Sequence, residues 1–164
     1  MKLRFAAAVL LTLALAGCAS YQPVPEGYAG ATATVRDTGT TEDMTKARLF
    51  GMVEVDGNRI MNTFWASANA SHGRGASLFQ VYPERTVQAK PMKVLLRGSH
   101  ATGAPIHAMA SQLAGTFFSV EGQVDFTPKP GGRYAVKGDL TKEKSTVWIE
   151  DEETGLPATV KVSK

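Results

Sequence analysis

The chain has 164 residues, 43% apolar and 20% charged, with 16 Gly, 8 Pro and one Cys; this is globular composition for one domain, and it excludes disorder along the whole length and a multi-domain enzyme. The formal charge is +3, but Lys2 and Arg4 belong to a segment that reads as removable. The 16 basic residues left face 15 acidic ones and are scattered singly, so the chain carries no nucleic-acid footprint, and a single Cys excludes an intrachain disulfide and a Cys-rich zinc site.

Residues 1–17 read as an export signal. Met1 to Arg4 supply a positive start, and Phe5 to Ala14 an apolar stretch too short to cross a bilayer whose hydrocarbon is ~30 Å thick. The stretch ends in Leu15-Ala16-Gly17-Cys18, which resembles the lipobox of bacterial lipoproteins: a Leu, two small residues and an invariant Cys. The resemblance implies cleavage between Gly17 and Cys18, a diacylglycerol on the Cys18 thiol, an acyl chain on its amino group, and a lipid bilayer as the first partner. At roughly 0.8 kcal/mol per buried methylene, two or three such chains hold a protein on a membrane almost permanently. Ala19 and Ser20 follow, and by resemblance to Gram-negative lipoproteins the lack of Asp after the Cys implies the outer membrane, facing the periplasm. No other cofactor is implied.

Residues 18–31 are expected to be a lipidated N-terminus and flexible tether, since the stretch is rich in Pro and Gly and has no apolar period. Residues 32–164 form the domain, in which short alternating runs are broken by turn signals. Leu49 to Asp56 is a strand running into Asp56-Gly57, a strong hairpin signal, with the return strand at Arg59 to Ala66. Ser67 to Gly75 is a loop, and Ser77 to Tyr82 and Met92 to Arg97 are further strands. Residues 104–114 form a short helix or crossover, because Ala, Met, Gln and Leu favour helix and Pro105 suits its first turn. Phe118, Val120, Gly122, Val124 and Phe126 then alternate with polar residues, and Pro128 to Gly132 turn the chain. Tyr134, Val136 and Leu140 face inward on the next strand, Val147 to Ile149 make a third, and Ala158, Val160 and Val162 a closing one, the four forming a meander.

About eight strands exceed one open sheet, so the expected fold is all-β, an antiparallel two-sheet sandwich. Val55-Asp56-Gly57, then Pro130-Gly131-Gly132 leading to Tyr134 and Val136, then Val147 to Asp151 followed by Thr154-Gly155, resembles small uncharacterised proteobacterial lipoproteins with immunoglobulin-like or transthyretin-like sandwiches. That resemblance rests on strands and turns and implies no catalytic residue.

Chemistry-bearing side chains are sparse. His100, His107 and Met109 offer imidazole and thioether for a soft copper site; the bland alternative is a solvent-facing His107 with Met109 filling core. No His spacing suits zinc, and no metal site is expected. Arg74 between Gly73 and Gly75, beside His72, suits an anionic ligand or simply a tight loop. Glu150 to Glu153 lack the spacing of a calcium loop, and Asp151 with Gly155 reads as a capped turn. No nucleophile motif occurs. Trp65 and Trp148, with Tyr21, Tyr28, Tyr82 and Tyr134, offer stacking surface for sugar if several are exposed on one face; the alternative is that Trp148 and Tyr134 are partly core residues with hydrogen-bonded rims. The expected function is a non-enzymatic interaction or structural module of the cell envelope, partnered by an envelope protein or glycan. The alternatives are a copper or ligand carrier using His100, His107 and Met109, and an enzyme needing His72, Arg74 and an acid in one pocket.

Overall fold

The computed structural model describes residues 21–164; the signal segment, its cleavage point and Cys18 lie outside the described residues. The described chain is the two-sheet all-β sandwich that the alternation predicts. In the first sheet the spatial order is β10 (Val162–Ser163), β9 (Thr146–Asp151), β8 (Arg133–Asp139), β1 (Thr32–Arg36) and β5 (Glu84–Gln88). The second runs β2 (Thr38–Thr41), β3 (Lys46–Val55), β6 (Met92–Thr102) and β7 (Ser119–Phe126), with β4 (Asn58–Arg59) pairing the end of β3. Two short helices, α1 (Thr63–Ser71) and α2 (Pro105–Leu113), interrupt the strands. Every recorded strand pairing is antiparallel except β1 with β8, which is parallel.

The inner faces meet in one apolar cluster containing Val35, Met52, Val87, Leu96, Val120, Phe126, Val136 and Ile149. Phe50 bridges the layers: a Cβ on Gly98 of β6 would stand 2.9 Å from its ring, and one on Gly138 of β8 only 2.5 Å away. Glycine on both sheets therefore leaves the space that the ring occupies between them.

Several expected elements are placed differently, each for a local reason. β7 and β8 do not pair, because Thr127 to Gly132 carries the chain from one sheet to the other; only β8, β9 and β10 form a meander. Asp56 (φ +49°) and Gly57 (φ +78°) make the expected tight hairpin, but the return strand stops after two residues. Asn62 ends it by capping α1, its side-chain oxygen accepting the N–H groups of Phe64 and Trp65. α1 thus occupies much of the expected return strand and loop.

The buried stripe of α1 consists of hydroxyls. Thr63, Ser67 and Ser71, four residues apart, face inward. Phe79 N–H donates to Ser71 Oγ at 2.8 Å, Val81 N–H to Ser67 Oγ at 2.9 Å, and Thr63 Oγ donates to the Val81 carbonyl at 2.8 Å. These bonds take up the Phe79 and Val81 N–H groups and the Val81 carbonyl, tying this stretch to α1, and Ser77 to Tyr82, expected as a strand, joins no sheet. β10 is likewise shorter than expected: Ala158 and Val160 are exposed, and Ala158 N–H bonds singly to Ile149. Residues 21–31, the expected tether, have no regular secondary structure, yet Pro23 is buried and its carbonyl accepts a hydrogen bond from Gln88.

Candidate functional site

His72 ends α1 and is exposed. Gly73 and Gly75 have φ of +74° and +67°, so the segment between them is a tight loop. The Arg74 guanidinium lies 4.4 Å above the Phe79 ring, a cation–π contact that occupies the charge.

His100 and His107 both reach the turn between β2 and β3. His100 is 5% exposed, with the rings of Phe117 and Phe118 each 5.7 Å away. Phe118 N–H donates to its Nδ1 at 3.0 Å, the Phe118 carbonyl lies 3.3 Å from the same nitrogen, and Nε2 is 3.1 Å from the Glu42 carboxylate. Both nitrogens of His100 are engaged within the fold. His107 Nδ1 is 3.2 Å from the Thr45 hydroxyl, while Met109 is exposed on α2 rather than filling core. Among the described residues no three His, Cys, Asp or Glu side chains group to hold a metal ion. Glu42 instead gathers cations: Lys46 Nζ lies 3.3 Å and Arg48 Nε 3.2 Å away, the latter not aligned for a hydrogen bond.

The acidic run is a capped turn. Asp151 accepts the N–H groups of Glu153 and Thr154, Gly155 has φ +68°, and Glu152 pairs with Arg36 at 2.6 Å. Burial raises the Asp151 carboxyl, but those two N–H groups and Lys129 hold it below the ordinary value. Tyr134 is buried with its hydroxyl accepting Lys129 N–H, and Trp148 donates to Glu150.

The strongest ionic feature is one that sequence reasoning passed over. Asp37, at the corner where the chain leaves β1 for β2, is fully buried. Arg85 of β5 grips it with both terminal nitrogens, at 2.7 and 2.8 Å, and the Met52 and Thr63 N–H groups donate to it at 3.1 and 2.8 Å. The pair continues a ladder that β2 abandons: Thr38 is opposite Phe50, and beyond it the carboxylate takes Met52 N–H while Arg85 reaches the Met52 carbonyl at 3.4 Å. One ion pair thereby joins both sheets and the start of α1. Burial pushes the Asp37 carboxyl above its ordinary value, against the lowering pull of Arg85 and the two N–H groups.

Beside this pair runs a groove of about 380 Å³. One wall is Pro83 to Thr86, the other Tyr21 to Val24, with Ile60 and Met61 also lining it. Consecutive residues of β5 line it, so it follows the strand's backbone edge; a groove on a sheet face would meet alternate residues. Gln88 closes the far wall to β5 through its 2.9 Å bond to Pro23.

No protein family, curated protein or solved structure matches this chain.

Proposed function

We propose that the protein is a lipid-anchored lipoprotein of the cell envelope, a non-enzymatic interaction module on the periplasmic side of the outer membrane. The observation that carries this reading is Leu15-Ala16-Gly17-Cys18 placed directly after the apolar stretch Phe5 to Ala14. Support comes also from how the reactive side chains are spent. His100, Glu42, Asp37 and Arg85 are tied into internal hydrogen bonds and ion pairs that hold strands together, and a rigid sandwich built this way presents edges and loops for binding.

The test is intact mass and membrane fractionation of the full chain, wild type beside Cys18→Ala. Acyl mass and outer-membrane sedimentation of the wild type, with a soluble unmodified variant, are the expected result. A wild type that is soluble and lacks acyl mass overturns the anchor. Crosslinking in intact envelopes then tests the module: a wild type that crosslinks to neither envelope protein nor glycan overturns it.

A further inference from the structure

Among the described residues β5 is the last strand of its sheet, paired on one side only, with β1. The pairing parity shows what its other side offers. Asp37 N–H bonds the Pro83 carbonyl and Ala89 N–H bonds the Ala31 carbonyl, so the odd-numbered residues Arg85 and Val87 direct their backbone groups to β1. Glu84 and Thr86 therefore direct N–H and C=O the opposite way, along the open edge and beside the groove. Among the described residues these four groups have no recorded partner.

An open edge is a template for another strand, and here its surroundings select the kind. The Tyr21 to Val24 segment of the chain itself stands across the groove from β5, so what the edge takes must enter between the two walls. Val24, Met61 and Pro83 supply apolar lining beside the polar Gln22, Glu84 and Thr86, so the groove is mixed in character. Its two charged members differ: the Arg85 guanidinium is held by Asp37, whereas Glu84 is exposed and, among the described residues, has no ion-pair partner. The groove therefore presents an edge, a lining part apolar and part polar, and, among the described residues, one unpaired negative charge.

We infer that this groove binds an extended peptide segment with alternating apolar and basic residues, added as a further strand to β5. Glu84 and Thr86 exchange backbone hydrogen bonds with it, alternate apolar side chains face Ile60, Met61 and Pro83, and a flanking basic side chain meets Glu84. The inference deepens the interaction-module reading and is independent of the lipid on Cys18. An unacylated chain that binds the peptide sinks the anchor alone, and an acylated chain that fails to bind sinks the groove alone.

The test uses the full mature protein in detergent and a fluorescein-labelled seven-residue peptide of alternating lysine and valine, read by fluorescence anisotropy. Wild type is expected to bind it, and Thr86→Pro to bind about tenfold more weakly, since the lost N–H faces the groove and not β1. Glu84→Lys is expected to transfer preference to the matching glutamate and valine peptide. The same lysine peptide with alternate amides N-methylated is expected to lose binding in one of its two registers, a check that stands even if Thr86→Pro fails to fold. The proposal is overturned if wild type does not bind the lysine peptide, or binds the glutamate peptide equally well. It is equally overturned if a folded Thr86→Pro variant binds undiminished, or if sedimentation shows that the edge is already taken by a second copy of the chain.

Discussion

Asp37→Ala removes the one acceptor shared by four donors. The carboxylate is fully buried and the Arg85 side chain is 9% exposed, so the variant strands a guanidinium in the interior and orphans two backbone N–H groups. Removing one member of a buried ion pair costs about 3 to 5 kcal/mol, and an unpaired buried N–H about 1 to 3. Because Arg85 and the N–H groups share one carboxylate the terms do not add fully, and a loss of about 4 to 6 kcal/mol is expected. A domain of this size has about 5 to 15 kcal/mol in total, so the variant should be close to unfolding at room temperature. The decisive comparison is with the double variant Asp37→Ala, Arg85→Met, which leaves no buried charge and should recover at least about 2 kcal/mol relative to Asp37→Ala. Urea unfolding followed by circular dichroism and by Trp65 and Trp148 fluorescence measures both. If Asp37→Ala costs less than about 1 kcal/mol, or the double variant is no more stable than the single, the pair is not what joins the two sheets.

Three further outcomes follow from the same contacts. Gly138→Ala should lower stability by about 1 to 3 kcal/mol, the usual cost of overpacking, because its Cβ would stand 2.5 Å from the Phe50 ring and 2.4 Å from the Thr146 carbonyl; thermal unfolding of the variant reads it directly. Ser67→Ala should cost about 1 to 2 kcal/mol and raise amide exchange at Val81, whose N–H bonds that hydroxyl. On acidification, Asp43, held low by the backbone N–H and hydroxyl of Thr45, and Asp151 have folded values below the ordinary 3.8. Their contribution is present above that value and is lost as pH falls through the folded values. Asp37, raised by burial, works in the opposite sense: its contribution is greatest below 3.8 and declines as pH rises through its folded value. Stability measured against pH should therefore lose its low-pH fall in part in Asp43→Asn, and a fall as steep as wild type would contradict the assignment.

The parts of the sandwich that were legible in the sequence are those with one wet face and one dry face. β7 reads cleanly because Val120, Val124 and Phe126 are buried while Glu121, Gln123 and Asp125 stay in water, and α2 reads from composition and Pro105. α1 does not read from the sequence because its buried stripe of Thr63, Ser67 and Ser71 is polar, so it lacks the apolar period by which an amphipathic helix is recognised. A Thr-Ser-Ser spacing of four, behind an Asn in capping position, was the available clue. Asp37 and Arg85 are 48 residues apart, and nothing local distinguishes either from a surface charge. The sequence brought His100 and His107 forward as ligands; their neighbours Glu42, Phe118 and Thr45, which decide what the rings do, come from distant segments and carry no motif.

The place of β1 sets the order in which this protein can be made. It is the first strand among the described residues, yet it lies inside its sheet, between β5 and β8, with Thr34 opposite Arg133. A growing polypeptide therefore carries a half-paired β1 until nearly the whole chain has emerged, and the parallel contact that covers it must close a very long loop. Folding is accordingly a late event in synthesis, C-terminal truncations before β8 should yield no soluble intermediate domain, and an incomplete chain shows the strand side on which misassembly begins.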